Sequence, residues 1–126
     1  MNKSTAIVFA LAALLSVQPA TAEPLGSGLF SGASSHTTSG SVTVTKQNGQ
    51  YIIELGGDFS LDGAPDPYVA LGKGKKPVAG GLGAELASNT GAQCYVIDAG
   101  PAVDGATQVI IWCKKYAVPL GLATIE

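Results

Sequence analysis

The chain has 126 residues and a formal net charge of −2 at pH 7, from 9 acidic and 7 basic side chains. The basic residues are all lysines, and a small cluster of them, Lys73, Lys75 and Lys76, lies in a glycine-rich stretch that we expect to be a solvated loop. Nucleic-acid-binding domains usually carry a basic stripe or patch. The composition therefore predicts no nucleic-acid partner, and the length predicts a single domain.

The N-terminus has the pattern of a secretory signal peptide. Lys3 supplies a positive charge, Ala6 to Leu15 form an unbroken apolar run, and Ala20-Thr21-Ala22 is a small-x-small cleavage site. This order is typical of a cleavable signal, and the run is shorter than the ~20 residues that a membrane-spanning helix needs. We expect residues 1–22 to be removed, leaving no membrane span, and the protein to be periplasmic or secreted. An uncleaved anchor is the alternative.

A β-hairpin is the first element predicted after this signal. Residues 23–29 are expected to be a flexible lead-in. The segments 41–46 and 51–55 follow, and Asn48-Gly49 between them is the dipeptide most typical of a type I′ hairpin turn. A two-residue loop pairs Gln47 with Gln50, and this register places four apolar side chains on one face: Val42, Val44, Ile53 and Leu55.

Further short strands are predicted along the rest of the chain, at 68–71, 93–98, 107–113 and 116–124. Pro119 cannot donate to a ladder, so we expect it at an edge or a bulge. Residues 72–83 are predicted to be a loop, and residues 82–86 a brief helical turn. About seven short strands separated by turn residues predict an all-β fold, a small single-domain β-sandwich or barrel.

Few residues in this chain can hold a metal or a haem. His36 is the only histidine, and Cys94 and Cys113 are the only cysteines. These residues are too few for a zinc site with four Cys or His ligands or for a blue-copper centre, and no Cys-x-x-Cys-His haem motif is present. The sequence predicts no metal site and no cofactor, although composition alone leaves haem or a metal open. An enzyme with its own active site is the least favoured class.

The two cysteines allow three interpretations. Export places them in an oxidising compartment, where an even pair tends to form a disulfide, and a Cys94–Cys113 bond would stabilise the domain by ~3 kcal/mol in the chain-entropy model. Alternatively, Cys113 is a redox-active thiol, with Lys114 or Lys115 close enough to activate it. The third interpretation is two buried free thiols.

Three further residues are candidates for ligand binding: His36, Asp66 and Trp112. Trp112 is expected to fill the core, with an exposed π-platform as the alternative. His36 is either an exposed loop histidine or a ligand-binding residue. Asp62 and Asp66 flank a turn, where aspartate is an ordinary residue but also a possible cation ligand.

Several segments together resemble the DM-thirteen domain family, a small extracellular β-domain described as an electron-transfer domain and found beside DOMON domains in animals. Its opening is similar to Phe30-x-Gly32, His36 and Ser39-Gly40-x-Val42. Its central signature resembles Asp58-Phe59 followed by residues 63–71, and its Gly-x-Gln-x-Tyr segment resembles residues 91–95. Its ending, which is the most specific part, resembles residues 109–123.

The resemblance implies a β-domain over residues 30–126 and an exported, redox-associated role. The recurring cysteine of the family matches Cys113, so the implied electron-transfer chemistry centres on this residue, with an unknown redox or cell-envelope partner. Cys94 stands where the family more often has another residue, and a disulfide with it would remove the free thiol of Cys113. The alternative function is a non-catalytic binding or adhesion module with a structural Cys94–Cys113 disulfide.

Overall fold

The computed structural model describes residues 23–126, and the predicted signal peptide, residues 1–22, lies outside this range. The described chain is all-β apart from one 3₁₀ turn, Val103–Gly105. The strands are β1 (Glu23–Leu29), β2 (Ser31–Gly32), β3 (Thr38–Ser39), β4 (Ser41–Gln47), β5 (Gln50–Leu55), β6 (Ser60–Leu61), β7 (Pro67–Lys73), β8 (Lys76–Glu85), β9 (Gln93–Asp98), β10 (Gln108–Cys113) and β11 (Val118–Thr124).

Two antiparallel sheets enclose one hydrophobic core. The first has the strand order β1-β4-β5-β9, and the second has the order β2-β11-β10-β7-β8. A two-stranded sheet, β3-β6, lies near one end of these two. Within residues 23–126 the arrangement is sandwich-like, because neither main sheet closes on itself into a barrel. No helix in this range is long and apolar enough to cross a membrane.

The β4–β5 hairpin has the register expected from its sequence. Gln47 is opposite Gln50, and the four apolar side chains on the predicted inner face are all buried. Asn48 and Gly49 have φ values of 53° and 75°, the left-handed conformations that a type I′ turn requires. The alternation of apolar residues and the turn chemistry specify the same pairing, so local sequence is sufficient to define this hairpin.

The glycine-rich segment after β7 differs from the expectation. Residues 76–85 form strand β8 rather than a loop followed by a helical turn. The β7–β8 register shifts twice, and a Cβ atom at Gly81 would collide with the carbonyl oxygen of Leu71. The glycine therefore allows close approach of two backbones, a use of glycine that is common at bulged strands. The lysine cluster fits the expectation of a solvated loop only in part: Lys75 lies in the turn, whereas Lys73 ends β7 and Lys76 begins β8, and all three side chains are exposed.

Strand β1 is the second element that differs from the expectation. Residues 23–29, where a flexible lead-in is expected, pair with β4 along its length. Three of its seven residues are glycine or serine, and its leucines are four positions apart, so the sequence shows no alternation of apolar residues. Its strand structure depends on pairing with β4. Pro119 is at a bulge as predicted, because the β10–β11 register shifts between Ile111 and Trp112, and Trp112 is opposite Pro119.

The two ends of the sandwich are packed differently. At the end where β10 finishes, which we call the Cys113 end, the rings of Phe30 and Phe59 meet edge to face with centroids 5.5 Å apart. At the end where β10 begins, which we call the Gln108 end, the sheets part around a cavity of about 260 Å³. Both regions belong to the same core, whose side chains come from both sheets.

Candidate functional site

Cys113 is the last residue of β10 and lies between β7 and β11, where it is opposite Pro67 and Val118. It is 1% exposed. Its thiol donates a hydrogen bond to the backbone carbonyl oxygen of Pro65, with an Sγ–O distance of 3.2 Å. The side chain therefore faces the interior beneath the segment that joins β6 to β7.

This segment, residues 62–66, is called the cover loop below. At its start the backbone N–H of Asp62 donates to the carbonyl oxygen of Thr37 at 3.0 Å. At its end the carbonyl oxygen of Asp66 accepts a bond from the backbone N–H of Lys114 at 3.1 Å. Gly63 and Asp66 have φ values of 105° and 57°, which turn the chain over the thiol. The cover loop is thus anchored on both sides of Cys113.

His36 and Asp62 join the cover loop to the loop before β3. The His36 Nδ1 atom lies 3.0 Å from Asp62 Oδ1, and the other carboxylate oxygen accepts a bond from the Thr37 N–H at 3.0 Å. The Thr37 N–H bond, followed by the His36 bond, lowers the pKa of the Asp62 carboxyl. His36 is therefore a partner of Asp62 in a loop contact, and its side chain is 26% exposed.

Asp66 and Trp112, the other two candidate ligand-binding residues, are placed differently from each other. Asp66 is partly buried and contributes its backbone carbonyl to the anchoring of the cover loop. Trp112 does not fill the core as expected. Because Ile111 and Cys113 face inward on β10, Trp112 faces the outer side of the sheet and is partly exposed, opposite Tyr68.

The lysines that follow Cys113 lie against tyrosine rings. The Lys114 Nζ atom is 5.1 Å from the centre of the Tyr68 ring, and the Lys115 Nζ atom is 5.4 Å from that of Tyr116. A cation over an aromatic ring at this distance is a favourable pair. Since Tyr68 is the outward-facing partner of Trp112, the charge of Lys114 is directed away from the inward-facing thiol.

The two cysteines are on different sheets, and both are free thiols. Tyr95 and Ile97 face the core from β9, so strand alternation turns Cys94 to the outer face, where it is exposed. Cys113 faces inward on the other sheet. The expected Cys94–Cys113 disulfide is not formed in this structure. The alternative function, a binding or adhesion module, was predicted with this disulfide as a structural bond.

A polar group at the Gln108 end was missed by sequence reasoning. The Tyr51 hydroxyl donates to Asp104 Oδ1 at 2.5 Å, and the Lys46 Nζ atom is 3.7 Å from the same oxygen. Burial, followed by the bond to Asp104, raises the pKa of Tyr51 to about 12. The bond from Tyr51, with a smaller contribution from Lys46, lowers the pKa of Asp104.

The inward position of Tyr51 could have been inferred, because it continues the face formed by Ile53 and Leu55. Nothing in the sequence pairs it with Asp104, which is 53 positions away. Among residues 23–126 no three His, Cys, Asp or Glu side chains are grouped in a way that would hold a metal ion.

A family model described as "Electron transfer DM13" matches residues 30–125, a range that contains His36, the cover loop and Cys113. No curated protein and no solved structure gave a match. The family match covers well over half of the chain and agrees with the resemblance seen in the sequence. The chain therefore belongs to the DM13 electron-transfer family.

Proposed function

We propose that the protein is an exported, redox-associated domain in which Cys113 carries the electron-transfer chemistry of the family. The observation that supports this most strongly is a free thiol in the family region that has no intrachain disulfide partner in the described structure and is covered by a defined loop. The expectation of export rests on the signal-peptide pattern of residues 1–22.

The chemistry that suits a single thiol is reversible two-electron oxidation. A peroxide oxidises the Cys113 thiol to a sulfenic acid and is itself reduced to water or an alcohol. A thiol of a partner then displaces the sulfenic hydroxyl as water and forms a mixed disulfide. A second partner thiol attacks this disulfide, releases the Cys113 thiol and leaves the two partner sulfurs joined. Cys94 cannot act as the thiol that pairs with Cys113 in the same molecule, because it faces outward from the other sheet.

The cover loop would control access to this chemistry. Buried thiols in apolar surroundings are generally inert, whereas reactive cysteines are partly exposed. Cys113 is 1% exposed, so a peroxide or a partner thiol reaches it only when residues 62–66 move. The His36–Asp62 and Thr37–Asp62 contacts hold the loop in place. In this proposal they set how often the thiol becomes accessible.

The test uses two variants that each keep one thiol. Cys94→Ser leaves Cys113 as the only cysteine, and Cys113→Ser is the matched control that leaves Cys94. Each folded protein is treated with hydrogen peroxide and analysed by mass spectrometry of the intact chain and its peptides. We expect the Cys94→Ser protein to gain one oxygen at Cys113, to form a mixed disulfide with added glutathione, and to return to the thiol with a reductant.

The proposal fails if Cys113 stays reduced in the folded Cys94→Ser protein at peroxide concentrations that oxidise it after unfolding. In that case Cys113 is a structural core residue. Oxidation of Cys94 in the Cys113→Ser protein under the same conditions would show that the reagent was active.

A further inference from the structure

The cavity at the Gln108 end is a second place where this molecule can bind another. Its volume is about 260 Å³, and it lies between the two sheets, with Val44 on one side and Leu71 on the other. Val103 and Ile125 add to its apolar wall. The cavity is a cleft that is partly open to solvent, and its volume is enough to hold a small molecule.

Four polar residues line this cavity: Tyr51, Asp104, Thr107 and Gln108. The Asp104 carboxylate lines the cavity and accepts the Tyr51 hydroxyl on Oδ1. An ionised carboxylate is acceptor-only and has room for several donors on its two oxygens. A molecule in the cavity can therefore pair with Asp104 by donating a hydrogen bond. The low pKa of Asp104, caused mainly by the Tyr51 bond, keeps this acceptor ionised at neutral pH.

The charge around the cavity favours a neutral occupant. The ammonium of Lys46 lies 3.7 Å from the Asp104 carboxylate, so the two charges offset each other. Gln108 also lines the cavity, and its side-chain oxygen is already bonded to the backbone N–H of Lys75 at 2.9 Å. These contacts leave a space of mixed polarity, with an apolar wall, a hydrogen-bond acceptor at Asp104 and little net charge.

We propose that this cavity binds a small neutral ring compound carrying one hydroxyl group, with the rings between the sheets and the hydroxyl donating to Asp104. A cavity of about 150 Å³ lined by apolar side chains is known to hold benzene, so this one has room for two fused rings. The site lies at the opposite end of β10 from Cys113. Its existence does not depend on the redox chemistry proposed for that thiol.

The first test compares two probes that differ only in the hydroxyl group. 2-Naphthol and naphthalene are titrated into the purified protein, and binding is followed by probe fluorescence and by the thermal unfolding midpoint. We expect 2-naphthol to bind saturably at one site, to raise the midpoint, and to bind roughly tenfold more tightly than naphthalene, because a hydrogen bond to a charged partner is made only by the hydroxyl. Asp104→Ala is expected to remove this preference.

The second test fills the cavity. Ala106 lines it, and Ala106→Phe should abolish 2-naphthol binding while leaving the unfolding transition cooperative. Ala102→Phe is the matched control, since Ala102 is an exposed alanine in the same segment that does not line this cavity. If Ala106→Phe fails to fold, the naphthalene comparison and Asp104→Ala decide the question. Non-saturable binding of 2-naphthol, equal affinity for both probes, or undiminished binding to a folded Ala106→Phe protein would overturn the proposal.

Discussion

The Cys113 end and the Gln108 end are built from the same two sheets, yet one is filled and the other is open. At the Cys113 end, Phe30 and Phe59 fill the space between the sheets, and both are buried. At the Gln108 end the sheets are separated by the cavity, with the Tyr51–Asp104 bond beside it. Strand alternation produces an inward face at both ends, so the difference arises from the size of the side chains and from the loops.

The loops at the Cys113 end are bonded to one another. The Leu61 N–H donates to the carbonyl oxygen of Asn89 at 2.8 Å, and the Gly91 N–H donates to that of Phe59 at 3.0 Å. The Thr38 hydroxyl, from a 3% exposed side chain, donates to the Leu120 carbonyl oxygen at 2.8 Å. Such connections close this end over the thiol. We expect mutations here to cost more stability than mutations beside the cavity.

The largest expected effect is at Phe59, which is 1% exposed. Phe59→Ala should lower the free energy of unfolding by about 3–5 kcal/mol, because it removes a ring and leaves a cavity in a filled region. Val44→Ala at the Gln108 end should cost only about 1.5 kcal/mol, the transfer term for two methylene-sized groups, because Val44 already borders empty space. Denaturant unfolding of both variants measures the difference. A loss well above about 1.5 kcal/mol for Val44→Ala would show that the Gln108 end is packed as closely as the Cys113 end.

The next effect tests the polar contact at the Gln108 end. Tyr51→Phe removes the bond to Asp104 and should cost about 1 kcal/mol. The pKa of Tyr51 is raised to about 12 in the folded state, against about 10 for an unperturbed tyrosine. The folded state therefore holds this proton more tightly, and the wild type should lose the corresponding stability as pH rises from about 10 to 12. The variant should lose less over the same range, as measured by unfolding at a series of pH values.

A smaller effect concerns the cover loop. Asp62→Ala removes the contacts of the carboxylate with His36 and Thr37, so the loop should open more often. In a Cys94→Ser background, modification of Cys113 by a thiol reagent should become roughly threefold to tenfold faster, with little loss of cooperativity on unfolding. Asp104→Ala in the same background is the control at the other end and should leave this rate unchanged. An unaltered rate for Asp62→Ala would show that the Asp62 contacts do not limit access to the Cys113 thiol.

The smallest expected effect is the acid sensitivity of the two ends. The backbone N–H and the hydroxyl of Ser41 lower the pKa of Asp58, and Asp62 at the same end is also lowered. A carboxyl whose pKa is lower in the folded state contributes stability above its ordinary pKa, and that contribution is lost as pH falls through the folded value. Asp58→Asn with Asp62→Asn should therefore reduce acid sensitivity more than Asp104→Asn alone. Unfolding at pH 7 and pH 3 provides the comparison.

Regular alternation made parts of this fold predictable. The β4–β5 hairpin and the bounds of β9 follow from residues that are adjacent in the chain. The strand β8 could not be recognised in the same way, because its glycines suit the close approach of β7 rather than a period of two. The candidate site likewise has one feature that the sequence predicted and one that depends on tertiary contacts. Cys113 was named from the sequence, whereas its cover by residues 62–66 depends on contacts between distant segments.

The sequence by itself determined the all-β class, the inward faces of the hairpin and the identity of the cysteine at the end of β10. Tertiary structure decided that Cys94 faces outward, that His36 meets Asp62, and that Tyr51 meets Asp104. The physical reason is the range of the interactions. Alternation and turn preferences act between residues a few positions apart, but which thiol is covered and where a cavity remains depend on how two complete sheets pack.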